Sequence, residues 1–227
     1  MIATPDVTDK LVIKLVRHGE SQANVAAVSA QNVGDHRVGL TDTGRSQALG
    51  AGAGISREFL DAALVYCSPY QRTRETLGEL LSAHRLARTD VPFLYEDPRL
   101  REVEHGYTDV EAQQGRRETH GWFYYRFEGG ESPADCYDRA SSFTDSMFRQ
   151  LERKQEKGIR NVLLVTHGLT VRCFVMRFLH LSPEEFDRMA NPKNAAVITL
   201  RRRRPDETDP PPFSTRHWVA EGLEVRG

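Results

Sequence analysis

Four His-Gly dipeptides occur in this 227-residue chain, at 18, 105, 120 and 167. The first and last directly follow short apolar runs, LVIKLV at 11–16 and VLLVT at 162–166, which read as strands buried on both faces of a parallel sheet. Imidazole, with an ordinary pKa of about 6.5, is largely neutral at neutral pH and serves as a nucleophile or a proton carrier. A glycine after each histidine lets backbone approach a ligand closely. In open α/β sheets ligands bind beyond the carboxyl ends of the strands, so two strands ending this way aim both rings into one crevice.

Basic partners stand nearby. Arg17 precedes His18, and Arg72 lies just beyond a third apolar run, ALVYC at 63–67. A guanidinium stays charged at all working pH values and presents a planar fork that matches phosphate oxygens. Each charge-assisted hydrogen bond of this kind contributes about 1.5–3 kcal/mol. Arg74 is the competitor of Arg72, and residue chemistry alone does not choose between them.

The elements that position these groups follow from pattern. Three strand–turn–helix units predict a mostly parallel sheet covered on both faces, a three-layer α/β/α architecture. Ser68-Pro69 reads as the N-cap and first turn of a helix running to about Leu81, and Ser132-Pro133 with Asp135 opens another over 133–156. A further helix is expected over 44–60, and LTVRCFVMRFL after Gly168 reads as a largely buried one. Residues 98–130 mix charge, glycine and aromatics and read as a lid of loop plus short helix, with WFYYRF at 122–127 packing it. The tail after strand-like 195–200 carries RRRR at 201–204 and a second strand-like stretch, 213–220, and is expected to form a C-terminal hairpin over 201–227 with its arginines in an exposed loop. The whole is expected to be one domain, with its core at about 11–200.

Composition narrows the function. Lys+Arg 31 against Asp+Glu 32 gives a formal net charge of −1, without the basic footprint of a nucleic-acid binder. Three cysteines without a CxxC pair favour a reducing, cytoplasmic setting, and the apolar runs fall short of a membrane span. A cysteine phosphatase needs five residues between cysteine and arginine; Cys67 has four before Arg72 and six before Arg74. No GxxxxGK[ST] loop and no HExxH cluster is present, so neither a metal nor another cofactor is expected.

RHGESQAN at 17–24, LTDTG at 40–44, SPYQRTRET at 68–76, LRE at 100–102 with Gly106, GGES at 129–132 and VTHG at 165–168 resemble, in order and spacing, the histidine phosphatase superfamily in its phosphoglycerate-mutase-like branch. FYYRFEGGESPADCYDRASSF looks closest to the small plant and fungal members. The resemblance implies that His18 is the nucleophile of a phosphohistidine intermediate, that Arg17, Arg72, Asn24, His167 and Gly168 cradle the phosphoryl oxygens, and that Glu102 is the general acid. One departure is His105, where the family commonly has Phe or Tyr. The expected activity is metal-independent hydrolysis of a small phosphomonoester. A phosphoglycerate mutase using the same intermediate is the alternative, since Arg116, Arg117, Tyr124, Tyr125 and Arg126 lie in the lid. A regulatory protein that kept the fold without turnover is a third reading.

Overall fold

The computed structural model describes residues 11–27, 33–106 and 111–227. Six strands, β1 (Val12–Arg17), β2 (Ala63–Cys67), β3 (Leu94–Glu96), β4 (Asn161–Thr166), β5 (Val197–Arg202) and β6 (Trp218–Glu221), form one sheet in the order β3-β2-β4-β1-β5-β6. The first four strands in that order are mutually parallel; β5 runs antiparallel to β1, and β6 antiparallel to β5. The expected mostly parallel, helix-flanked sheet is therefore what this sequence forms.

Side-chain alternation splits the sheet into two apolar faces. Ile13 and Leu15, Leu64 and Tyr66, Val162 and Leu164 point to one face, which is packed by α5 (Pro133–Lys154), α6 (Gly168–Leu179) and α7 (Pro183–Arg188) through Phe143, Met147, Phe174 and Phe186. Val16, Val65, Cys67, Leu163 and Val165 point to the other, packed by α2 (Arg57–Asp61) and α3 (Gln71–Ser82), with α1 (Asp42–Ala53) laid on α3. Each such fully buried side chain contributes about 1.5–3 kcal/mol relative to exposure. Covering both faces explains why β2 and β4 read as unbroken apolar runs.

Three element boundaries differ from the sequence expectation. The helix expected over 44–60 is two, α1 and α2, interrupted at 54–56 where Ser56 accepts a hydrogen bond from the Phe59 N–H and starts a new helix. Ser68 does not cap a helix: α3 begins at Gln71 with Tyr70 at the N-cap. In the tail, β6 occupies only Trp218–Glu221, and Arg201 and Arg202 lie in β5 rather than in a loop. Arg201 is held there by Glu207 and Glu221, an acidic neutralisation in which Glu207 is the partner drawn from the loop.

The segment expected to form a lid is anchored at its base. A Cβ on Gly106 would meet the Glu128 carbonyl oxygen at 2.0 Å, and one on Gly130 would meet the Glu104 carbonyl oxygen at 2.1 Å, so glycine is what lets the two ends of the lid cross. Ser132 and Asp135 close a capping box at the start of α5 immediately afterwards. Between these points lie α4 (Gln114–His120) and the aromatic stretch, whose Phe123, Tyr125 and Phe127 are buried while Tyr124 is exposed. The rings pack the lid: Phe123 meets Tyr137 and Phe186, and His105 sets its ring against Phe127, 4.5 Å between centroids. His105 thus fills the aromatic role expected at its position.

Candidate active site

Strand register brings the two histidines together. Arg17 and Thr166, the last residues of β1 and β4, are paired in register, and the His18 N–H donates to the Thr166 carbonyl at 2.9 Å. His18 and His167 therefore leave neighbouring parallel strands side by side, with ring centroids 5.3 Å apart and nearly perpendicular planes. Ser68 follows β2 on the other side of β4 and is tied in by its own N–H to the Val165 carbonyl at 2.9 Å. Three adjacent strand ends thus supply the floor of one crevice.

Both rings are buried, His18 at 4% exposure and His167 at 0%. His18 Nδ1 lies 2.7 Å from the Gly19 carbonyl oxygen. A carbonyl only accepts, so Nδ1 carries the proton and Nε2 presents its lone pair. Burial pushes the His18 pKa down to about 3, and the Arg72 and Arg17 charges act in the same direction. Burial likewise holds His167 well below the ordinary value, reinforced by Arg72, His18, Arg139 and Arg17. Two neutral imidazoles face a cluster of cations, an arrangement that leaves His18 nucleophilic and makes the crevice attractive to an anion.

His167 Nε2 lies 2.9 Å from the Ser68 hydroxyl, while its Nδ1 is buried without a partner. The Tyr70 N–H approaches the same hydroxyl at 3.5 Å. With the Ser68 O–H donating to Nε2, the His167 proton would sit on Nδ1, the ring nitrogen without a protein partner. Tyr70 covers His167 with its ring centroid 5.1 Å away and itself lies under the Arg72 guanidinium, 5.0 Å from the Tyr70 ring.

The structure also separates Arg72 from Arg74. Arg72, the second residue of α3, is buried and directed at the crevice, whereas Arg74 turns outward to Glu96. Arg72 gives both terminal nitrogens to the Asp35 carboxylate. Arg17 donates one terminal nitrogen to the Pro192 carbonyl at 2.5 Å, and its Nε is buried without a partner. Burial lowers the Arg17 pKa, with Glu102 opposing that shift and Arg72 adding to it, which places all three charges in one neighbourhood.

Glu102 is half-buried at the mouth. Thr166 and Thr170 hydroxyls hold the Leu100 and Arg101 carbonyls at 2.6 and 2.7 Å, so β4 and α6 fix the segment that carries it. Its Oε1 accepts from the Val103 N–H at 3.0 Å and the Thr170 hydroxyl at 3.4 Å. Gly168, the first residue of α6, packs against the Asn191 side chain, which would have to move for any larger residue, since a Cβ would sit 2.2 Å from its Oδ1. Asn24 is exposed, and its Oδ1 accepts from the Ser21 N–H and hydroxyl, both at 3.0 Å; among the described residues it meets neither imidazole. Sequence reasoning missed Ser68, Tyr70 and Asp35. Ser68 carries a signal, a polar residue directly after an apolar strand, but that signal is shared with helix caps.

No group of three or more His, Cys, Asp or Glu able to hold a metal occurs among the described residues. Likewise, no helix among them is long and apolar enough to cross a membrane.

The profile described as histidine phosphatase superfamily (branch 1) matches residues 13–208. Phosphoglycerate mutase-like protein AT74 of Arabidopsis thaliana is 37% identical over 205 residues, covering 83% of this chain and 64% of that protein. The chain thus spans about two thirds of the length of that relative. An acid phosphatase of Mycobacterium tuberculosis is 33% identical over 181 residues, covering 78% of this chain and 80% of its own. Among solved structures, a mycobacterial glucosyl-3-phosphoglycerate phosphatase with VO3 superposes with a TM-score of 0.65 at 23% identity, over 83% of this chain and 92% of that one, a likeness of fold.

Proposed function

Because the chain belongs to the histidine phosphatase superfamily, branch 1, we propose that it hydrolyses a small phosphomonoester through a phosphohistidine on His18. The observation that carries this reading is the pairing of two buried imidazoles, 5.3 Å apart, with Arg17 and Arg72 beside them. In the first step the Nε2 lone pair of His18 attacks phosphorus, the ester P–O bond breaks, and Glu102 gives its proton to the departing alkoxide. In the second, water attacks the phosphohistidine, the P–N bond breaks, and Glu102 takes the water proton. Inorganic phosphate leaves and both side chains return to their starting states.

The accelerating groups stand in the crevice before substrate arrives. Arg17, Arg72 and His167 surround the equatorial oxygens and stabilise the charge that spreads onto them, Arg72 after exchanging the Asp35 carboxylate for phosphate. Acid phosphatases among the relatives support release to water rather than transfer to a second hydroxyl. The test is phosphate release from p-nitrophenyl phosphate and alkyl phosphates, run beside isomer interconversion of phosphoglycerates. Wild-type protein should release phosphate and His18→Ala should not; full activity in that variant removes the nucleophile. Glu102→Gln should slow alkyl esters far more than p-nitrophenyl phosphate, whose phenolate leaves with little need of a proton. Interconversion without release would replace hydrolysis with a mutase.

A further inference from the structure

Two arginines from distant parts of the chain share Trp122, and a third stacks on Phe186, the ring that packs against the neighbouring Phe123. Arg117 of α4 places its guanidinium carbon 3.9 Å from the Trp122 ring centroid and 5.0 Å from that of Phe127. Arg226 lies 5.1 Å from the same indole, and Arg172 of α6 lies 4.1 Å from the Phe186 ring. Aromatic rings engage the face of a guanidinium and leave its N–H edge free to bind.

Those edges are underused. Arg172 is 95% buried, being 5% exposed, and donates one terminal nitrogen to the Phe186 carbonyl at 2.7 Å. The Nε atoms of Arg117 and Arg172 are both buried without a hydrogen-bond partner. Among the described residues none of the three arginines forms an ion pair, whereas Arg72, Arg99, Arg139 and Arg201 each have a carboxylate. Burial, followed by the Arg226 charge, pushes the Arg172 pKa down to about 10, and the same two causes lower Arg117. Asp187 is the nearby acid, but its Oδ1 is buried without a partner and burial raises its pKa, with Glu184 adding to the rise against the pull of Arg172 and Arg226. One disfavoured carboxylate does not neutralise three guanidiniums.

This trio stands apart from the crevice: its ring contacts and side-chain hydrogen bonds run to Trp122, Phe127 and Phe186, not to His18, His167, Arg17 or Arg72. We propose that Arg117, Arg172 and Arg226 form a second oxyanion site that takes one phosphate group, with buried Arg172 as its floor and exposed Arg226 as its rim. The ligand is either free inorganic phosphate or the phosphate end of a larger molecule. Its binding links the lid, α6 and the C-terminal segment, so it stabilises the fold as its concentration rises.

The experiment counts phosphate bound by calorimetry in wild-type protein and in the double variant Arg117→Ala, Arg226→Ala. Neither residue belongs to the catalytic machinery, so hydrolysis of p-nitrophenyl phosphate should be unchanged. The expected result is one fewer phosphate bound, or affinity at one site weakened by about tenfold or more. That difference of one holds whether or not the His18 crevice also binds phosphate, so this site and the proposed activity fail separately. Equal stoichiometry and affinity in the two proteins overturns the proposal. Asp187→Asn, which removes the neighbouring acid, should tighten the site several-fold; unchanged or weaker binding also counts against it. Phenylphosphonate binding more tightly than phosphate identifies the larger ligand, and the reverse order identifies the free ion; either ranking, lost in the double variant, upholds the site.

Discussion

Asp35 and Arg72 form a two-point ion pair, with contacts of 2.8 and 3.0 Å between the carboxylate oxygens and the two terminal nitrogens, and the Asp35 carbonyl takes a third hydrogen bond at 2.7 Å. The pair is asymmetric in exposure: the Arg72 side chain is 5% exposed and that of Asp35 is 32%. A phosphoryl group would use the same fork, since carboxylate and phosphate present similarly spaced oxygens. An arriving phosphate therefore competes with Asp35 for Arg72.

Asp35→Asn should tighten anion binding in the crevice. Replacing a carboxylate with an amide weakens the internal competitor by about one charge-assisted hydrogen bond, or roughly tenfold in the inhibition constant of orthovanadate. Inhibition assays on both proteins read this directly. An unchanged constant would mean that phosphate and Asp35 occupy different edges of Arg72.

Ser68→Ala removes the group that fixes His167. The hydroxyl lies 2.9 Å from Nε2 of a fully buried ring, so its loss leaves that nitrogen without a partner. Leaving one buried polar atom unsatisfied costs about 1–3 kcal/mol. If the contact sets the proton on Nδ1, turnover should fall about tenfold to a hundredfold with little change in KM. A drop in melting temperature with kcat intact would assign Ser68 to structure alone.

Stability should fall as pH drops below about 6.5. His18 has a folded pKa of about 3, against an unfolded value of about 6.5. Between those values the unfolded chain binds a proton that the folded chain refuses, so unfolding becomes easier with each step toward acid. His167, also held low by burial, acts in the same direction. Urea midpoints measured from pH 7.5 to pH 5 should decline, and His18→Gln should flatten part of that slope. A variant slope equal to that of wild type would show that the ring titrates normally in the fold.

Strand-ending His-Gly pairs make much of the crevice legible in the sequence, because parallel strands in register deliver their next residues to neighbouring points. Residue chemistry alone does not choose Arg72 over Arg74; the resemblance does, and the helix register gives the physical reason, turning one inward and the other to Glu96. Ser68 reads as a cap because Ser-Pro carries the same local pattern in both roles; its partner is 99 residues away, and nothing local marks it. Asp35 lies in a three-residue 3-10 turn, too short for periodicity to reveal a face. The arginines on Trp122 and Phe186 come from three segments far apart in sequence, so their proximity is not legible there either.

The glycines at 50 and 52 offer a test of helix packing within α1. A Cβ on Gly52 would meet the Leu80 carbonyl oxygen at 2.4 Å and its Cα at 2.8 Å, both backbone atoms of α3, whereas one on Gly50 meets nothing within 4 Å. The two helices approach closely enough at Gly52 that any side chain forces them apart, and overpacking of this kind costs about 1–3 kcal/mol. At Gly50 the added methyl stands clear, and alanine gains about 0.5–1 kcal/mol over glycine in a helix interior. Gly50→Ala should therefore raise the denaturant midpoint and Gly52→Ala lower it. Equal shifts in one direction would mean that the α1–α3 contact at Leu80 is looser than these distances state.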